Sequence, residues 1–203
     1  MPRAGLSPRV VAEEAARLCD EEGFDALTLS SLAKRVGVAA PSLYKHVDGL
    51  AALRREVALM GMAELAEVLR EAAVGRSGAP ALRAAADAYR GYARARPGRY
   101  AALQHAPGAD DAEAQRVAAA PVSVLAAVLR GFGIGDDQAV HAIRALRSAL
   151  HGFVHLEANG GFRLPEDLDE SYRLLVEGFV RAFESWPAAR HGPGAAEAEE
   201  SDR

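Results

Sequence analysis

Lysine is almost missing from this sequence: Lys34 and Lys45 are the only two among 24 basic side chains, and arginine supplies the rest. Cysteine is scarcer. The single Cys19 cannot close a disulfide within the chain, which excludes a disulfide-stapled secreted scaffold and agrees with a reducing compartment. No apolar run approaches the roughly 18 to 20 residues needed to cross a bilayer, and no apolar segment of signal-peptide type follows the N-terminus. The expectation is therefore a soluble cytoplasmic protein without a membrane partner. Convincing period-two alternation is also missing, which leaves helices to carry the fold.

Half of the residues are hydrophobic, enough for a buried core, and 203 residues suffice for one sizeable domain or a small domain fused to a larger one. A net charge of −4 excludes a uniformly basic nucleic-acid coat but permits a local basic patch. Its distribution is informative, because no acid lies between Asp25 and Asp48 whereas Lys34, Arg35 and Lys45 all do.

Helix signals recur along the chain. Ser7 caps and Pro8 opens a helix over 7–22 with Val11, Ala15, Leu18 and Cys19 on one face, and Gly23 stops it. Thr28 caps a second helix, which Gly37 ends in the left-handed region. A third is expected over 40–47 with Pro41 in its first turn. Asp48 is placed to cap a long helix reaching about Ala73, and at about 1.5 Å per residue its length, on the order of 35 Å, ties two domains together. "GRSGAP" at 75–80 is the clearest loop signal, and further helices are expected at 80–95, 98–105, 112–131, 136–159 and 167–186. The organisation expected is a small helical unit over 1–48, a larger helical unit over 49–186 and a disordered acidic tail over 187–203.

The stretch "GVAAPSLYKHVDG" at 37–49 carries the functional signal. Two short helices joined by "RVGVAAP" fit a helix-turn-helix, in which Leu32, Val36, Leu43 and Val47 turn inward and polar side chains face out. One helix fits the major groove, and small residues at its start, Ala40, Pro41 and Ser42, let the backbone approach base edges. Ser42 and His46 can exchange hydrogen bonds there, Tyr44 and Lys45 reach phosphate oxygens, and Thr28 at a helix start can hold another phosphate.

"LTLSSLAKRVGVAAPSLYKHVDGLAAL" resembles the DNA-binding domain of the tetracycline-repressor family of bacterial transcription regulators, over about residues 7–60. "ALRSALHGFVHLEANGGF" is similar to the His-Gly-containing C-terminal domain of one branch of that family. The resemblance implies an all-α protein with a three-helix head, a long connecting helix and a helical body that binds a ligand and dimerises. It also implies DNA contacts from Thr28, Ala40, Pro41, Ser42, Tyr44, Lys45 and His46. Leu50 stands where many members carry a phosphate-binding lysine, which removes one such contact.

For the body, Tyr89, Tyr92, Tyr100, Gln104, His105 and Phe153 are the candidates to line a pocket for an apolar or aromatic small molecule. Wide apolar coverage of the last two helices puts Leu146, Leu150, Gly152, Leu175, Phe179 and Phe183 at a homodimer interface. His151 and His155 have metal-ligand spacing but no matching third ligand, and no cofactor is called for. The expected function is a ligand-responsive, homodimeric regulator, a repressor released from a near-palindromic operator. The alternatives are a helical small-molecule-binding protein without DNA recognition and a helical enzyme using His105, His151 or His155.

Overall fold

The computed structural model describes residues 6–104 and 110–187, and the expectations for His105 and for a tail beyond Pro187 lie outside them. The described residues form nine α-helices and a single 3-10 turn, with no strand. α1 (Pro8–Glu22) starts where the Ser7 hydroxyl accepts from the Val10 amide at 3.3 Å and stops at Gly23, whose φ of 96° an L side chain resists. α2 (Leu29–Val36) opens on a reciprocal capping box between Thr28 and Ser31 and closes on Gly37 in the left-handed region. α3 (Ala40–Leu43) is shorter than the 40–47 expected. Beyond Leu43 the chain continues as a turn, with both the His46 and Val47 amides donating to the Leu43 carbonyl.

α4 (Gly49–Ala73) is the long connecting helix. Asp48 occupies its N-cap position, yet the side chain accepts no capping hydrogen bond, contrary to expectation. α5 (Gly78–Ala95), α6 (Pro97–Ala102), α7 (Ala112–Arg130), α8 (Asp136–Ala158) and α9 (Leu168–Glu184) complete the body. The 19 residues of α7 are long and apolar enough by composition to span a membrane, which the run-by-run reading of the sequence overlooked. In this fold α7 packs along α4, burying Leu125, Val128 and Leu129.

Two cores result. The head is built on Val11, Leu18, Leu27, Leu32, Leu43, Leu53 and Val57, all fully or almost fully buried. The first third of α4 thus belongs to the head's core, past the 48/49 division expected from the sequence. α6 reaches it too: Ala102 is completely buried in that same core, while its neighbours Tyr100 and Leu103 belong to the core of the body. A helix of six residues therefore bridges both cores.

In the body, Arg90 donates to both Glu157 oxygens at 3.0 and 2.6 Å, and its guanidinium lies over the Tyr172 and Phe153 rings. Those hydrogen bonds outweigh burial and hold the Glu157 carboxylate down at about 2, against an ordinary value of 4.5. Because the folded value is the lower one, the stabilisation is complete above the ordinary value and is lost as the pH falls toward 2. Urea midpoints measured between pH 5 and pH 2 should fall along this course, and Arg90→Gln should flatten it.

Candidate DNA-binding surface and ligand cavity

The acid-free window of the sequence folds into α2, the turn and α3, and its three cations part company. Arg35 turns back, its Nε at 3.0 Å from Glu14 and its two terminal nitrogens at 2.7 and 2.9 Å from Glu21. It fastens α2 to α1. Lys34 and Lys45 are exposed and form no ion pair among the described residues, so the two lysines are the cations this face offers to phosphate.

Leu43 is fully buried and fixes α3 against the head, which leaves Pro41 and Tyr44 outward, Tyr44 with 62% of its surface exposed. Ser42 is half-buried beside them, and Ala40 packs partly on the core. His46 lines the cleft between α1 and α4 with Pro8, Arg9 and Val47. Thr28 is exposed, but its hydroxyl already accepts from the Ser31 amide at 3.0 Å. What this helix start presents to a phosphate is the pair of first-turn amides of Leu29 and Ser30, which by position lack a helical acceptor.

The body holds a cavity of about 180 Å³ between α4, α5, α7 and α8, with Leu103 and Gln104, which follow α6, also on its lining. Its wall is apolar, with Leu65, Leu69, Leu82, Leu125, Leu146 and Leu150 contributing, and its polar lining comes from Tyr89, Gln104 and Arg147. Tyr89 and Gln104 were expected on this wall. Tyr92 is not on it: its hydroxyl donates to the Gly61 carbonyl and to Glu64 at 3.2 Å, toward the head. Phe153 is not on it either: it packs against the body core, tilted at 43° to the Phe162 ring and edge-on to Tyr172. Tyr100 stands behind Tyr89, its hydroxyl 2.8 Å from that of Tyr89 and 2.7 Å from His151 Nδ1.

Burial raises both phenols and lowers His151, which favours neutral groups along this chain of hydrogen bonds. His151 and His155 lie with ring centroids 5.8 Å apart, and among the described residues no group of three metal-capable side chains occurs.

The helices assigned to dimerisation divide into two faces. Leu146, Leu150 and Phe183 are at most 2% exposed within a single subunit, so they are structural and unavailable to a partner, which corrects their assignment. Leu175 and Phe179 are half-buried against the same core. The outward faces carry Val140, Leu174, Gly152 and Gly178, and a Cβ built on either glycine meets nothing within 4 Å.

The residues that join head and body escaped the sequence reading. The Arg99 amide donates to Asp20 Oδ1 at 3.0 Å, and the Arg99 side chain bonds both oxygens of Glu64 at 2.8 and 3.0 Å. Gly98 lets this happen, because any Cβ there would overlap the Cys19 carbonyl group on α1. A Pro-Gly-Arg sequence reads locally as a loop, and only the contact with α1 gives it meaning. Burial also pushes the Cys19 thiol up to about 11, so this residue packs as an inert side chain.

Residues 12–57 match the family model of bacterial regulatory proteins, tetR family, and residues 82–179 that of the tetracyclin repressor-like C-terminal domain. The chain is 42% identical over 170 residues to an uncharacterized HTH-type transcriptional regulator of Mycobacterium tuberculosis, spanning 82% of this chain and 75% of that one. It is 35% identical over 181 residues to the uncharacterized HTH-type transcriptional regulator YobS of Bacillus subtilis, spanning 88% and 93%. Among solved structures, a protein with unknown function from Rhodococcus sp. RHA1 matches with a TM-score of 0.74 at 26% identity, covering 90% of this chain and 98% of that one. A TetR variant from Acinetobacter baumannii AYE in complex with minocycline matches with a TM-score of 0.68 at 22% identity, covering 91% and 100%. These relatives and this fold define a DNA-binding transcriptional regulator with a helix-turn-helix head, not an enzyme. The chain belongs to the tetracycline-repressor family.

Proposed function

We propose that this regulator is a cytoplasmic homodimer that represses transcription from a near-palindromic operator and is released by a small apolar or aromatic molecule bound in the body. The observation that carries this reading is that α4 lines both ends of the molecule. Leu53 and Val57 lie in the head's core, and Met62, Leu65 and Leu69 lie on the cavity wall. A ligand that spreads the cavity moves α4 and α6 together, and Arg99 passes the movement to α1 through Asp20. It shifts the equilibrium only by its differential affinity for the two arrangements of the paired heads. That a TetR variant from Acinetobacter baumannii with this fold forms a complex with minocycline supports a small-molecule effector here without naming one.

In this reading Thr28, Tyr44 and Lys45 position the head on phosphates, Ala40, Pro41 and Ser42 meet base edges, and His46 contacts the backbone from the side of its cleft. Lys45→Ala should weaken binding to all duplex sequences and flatten the plot of log affinity against log salt by about one unit per half-site. Ser42→Ala should instead relax sequence preference, by about 1 to 3 kcal/mol at one position per half-site. Fluorescence anisotropy with operator and random duplexes across a salt series reads both. Wild-type protein that binds no duplex at low salt would defeat the DNA-binding assignment of these residues.

A further inference from the structure

We propose that the effector is a small monocarboxylate, with an apolar body of about one ring or a short chain in the cavity and its carboxylate on Arg147. This rests on the reading of the body as a ligand-binding unit and narrows it to one chemical class. Three observations converge.

The first is charge. Arg147, on α8, lines the cavity, and none of the described residues that line it is acidic. Several acids on neighbouring elements are engaged elsewhere, Glu64 with Arg99, Asp111 and Glu113 with Arg55, and Glu157 with Arg90, while Glu71, Asp87 and Asp137 on α4, α5 and α8 do not line the cavity. Arg147 itself forms no ion pair or hydrogen bond among the described residues, although its charge acts on Tyr89, Tyr100 and His151. An unanswered guanidinium beside an apolar cavity attracts an anion, and its planar fork matches a carboxylate with two parallel hydrogen bonds.

The second is position. Arg147, Gln104 and Val122 are the exposed members of the lining, so they frame the mouth while leucines form the floor. A ligand oriented by that gradient keeps its charged end at the mouth, where desolvation is cheapest, and buries its apolar end. Gln104, whose amide among the described residues donates to the Tyr100 carbonyl at 3.4 Å, stands beside the same opening with a side chain that can donate further.

The third is size. A volume of about 180 Å³ compares with the about 150 Å³ engineered cavity that accepts benzene, and is below the about 300 to 1,000 Å³ of pockets for drug-sized molecules. One cation at the mouth balances one negative charge, which favours a monoanion over a phosphate ester.

The test is calorimetric titration of the full chain with benzoate, phenylacetate and hexanoate, each paired with its primary amide. The acids should bind saturably and roughly tenfold to a hundredfold more tightly than the amides, the range that a charged hydrogen-bonded pair commands. Arg147→Gln should erase that preference and leave the weak binding of the amides. Arg144→Gln, at an exposed arginine of α8 that does not line the cavity, should keep it. Amides that bind as well as the acids, a preference that survives Arg147→Gln, or no saturable binding by any acid would each overturn the proposal. Anisotropy with duplex DNA separates this from the wider reading. Neutral compounds that bind the body and release DNA defeat the carboxylate and spare the regulator, whereas a chain that never binds DNA defeats the regulator and leaves the titration standing.

Discussion

Gly98→Ala is expected to cost about 3 kcal/mol of stability, a fall of roughly 6 to 12 °C in the thermal midpoint of a chain this size. A Cβ at this position falls inside the Cys19 carbonyl group and 2.5 Å from the Asp20 amide nitrogen, and both are backbone of α1. Backbone within a helix has no rotamer through which to yield, so α6 must move away from α1. The Arg99 amide then loses Asp20, and the short element that belongs to both cores comes loose from one of them. Operator affinity should become less responsive to effector even where the variant remains folded, because the link between cavity and head passes through this contact. Gly91→Ala is the control. Gly91 lies exposed on α5 with open space around its Cα, so alanine there should raise stability by about 0.5 to 1 kcal/mol through helix propensity alone. Calorimetric scans of both variants decide the matter, and an unchanged midpoint for Gly98→Ala would show that α6 does not sit tightly on α1.

Leu174→Glu should produce a monomer whose operator affinity is roughly 10²- to 10⁴-fold below that of the wild type, the loss expected when two linked half-site contacts become one. Leu174 is 52% exposed on α9, one turn from Gly178, and Val140 is 48% exposed on α8. Large apolar side chains on adjacent outward faces, with glycines that allow close approach, fit a two-fold contact between copies. The choice of residue matters. Glutamate at Phe183 would place an unpaired charge in the body's own core and unfold the subunit, whereas Leu174 has no comparable role within one chain. Light scattering at micromolar concentration reads the mass, and anisotropy reads the affinity. A monomeric wild type, or a dimeric and DNA-competent variant, would remove this surface from the interface.

Local chemistry made much of the architecture legible. Ser7, Thr28 and Gly37 mark helix ends through interactions spanning three or four residues, and each acts at the end it marks. The helix-turn-helix belongs to the same class of signal, because its apolar spacing, glycine turn and small-residue start are all set within 20 residues of chain. Capping fails to transfer at Asp48, where the N-cap position is right but the side chain makes no bond. The length of α3 was also overestimated, since the pattern of Leu43 and Val47 reads the same for a helix as for the hydrogen-bonded turn that follows it.

The sequence by itself determined that the chain is helical, that its head carries a helix-turn-helix and that a long helix leads from it into a larger helical body, because each of these rests on short-range periodicity and caps. Tertiary structure alone decided which apolar face of a helix looks inward. Val140 lies six residues before Leu146 on α8 and Leu174 nine before Phe183 on α9, so each sits on a different apolar face of its helix, and packing buries Leu146, Leu150 and Phe183 while Val140 and Leu174 stand in solvent. It also decided that Arg35 holds α1 while Lys34 and Lys45 stay exposed, that Tyr92 serves the join between domains while Tyr89 serves the cavity, and that Arg147 pairs with no acid among the described residues. Each of these outcomes depends on a partner many residues away. Helical periodicity fixes the angle of a side chain around its own axis, and only the packing of the other helices decides what that angle faces.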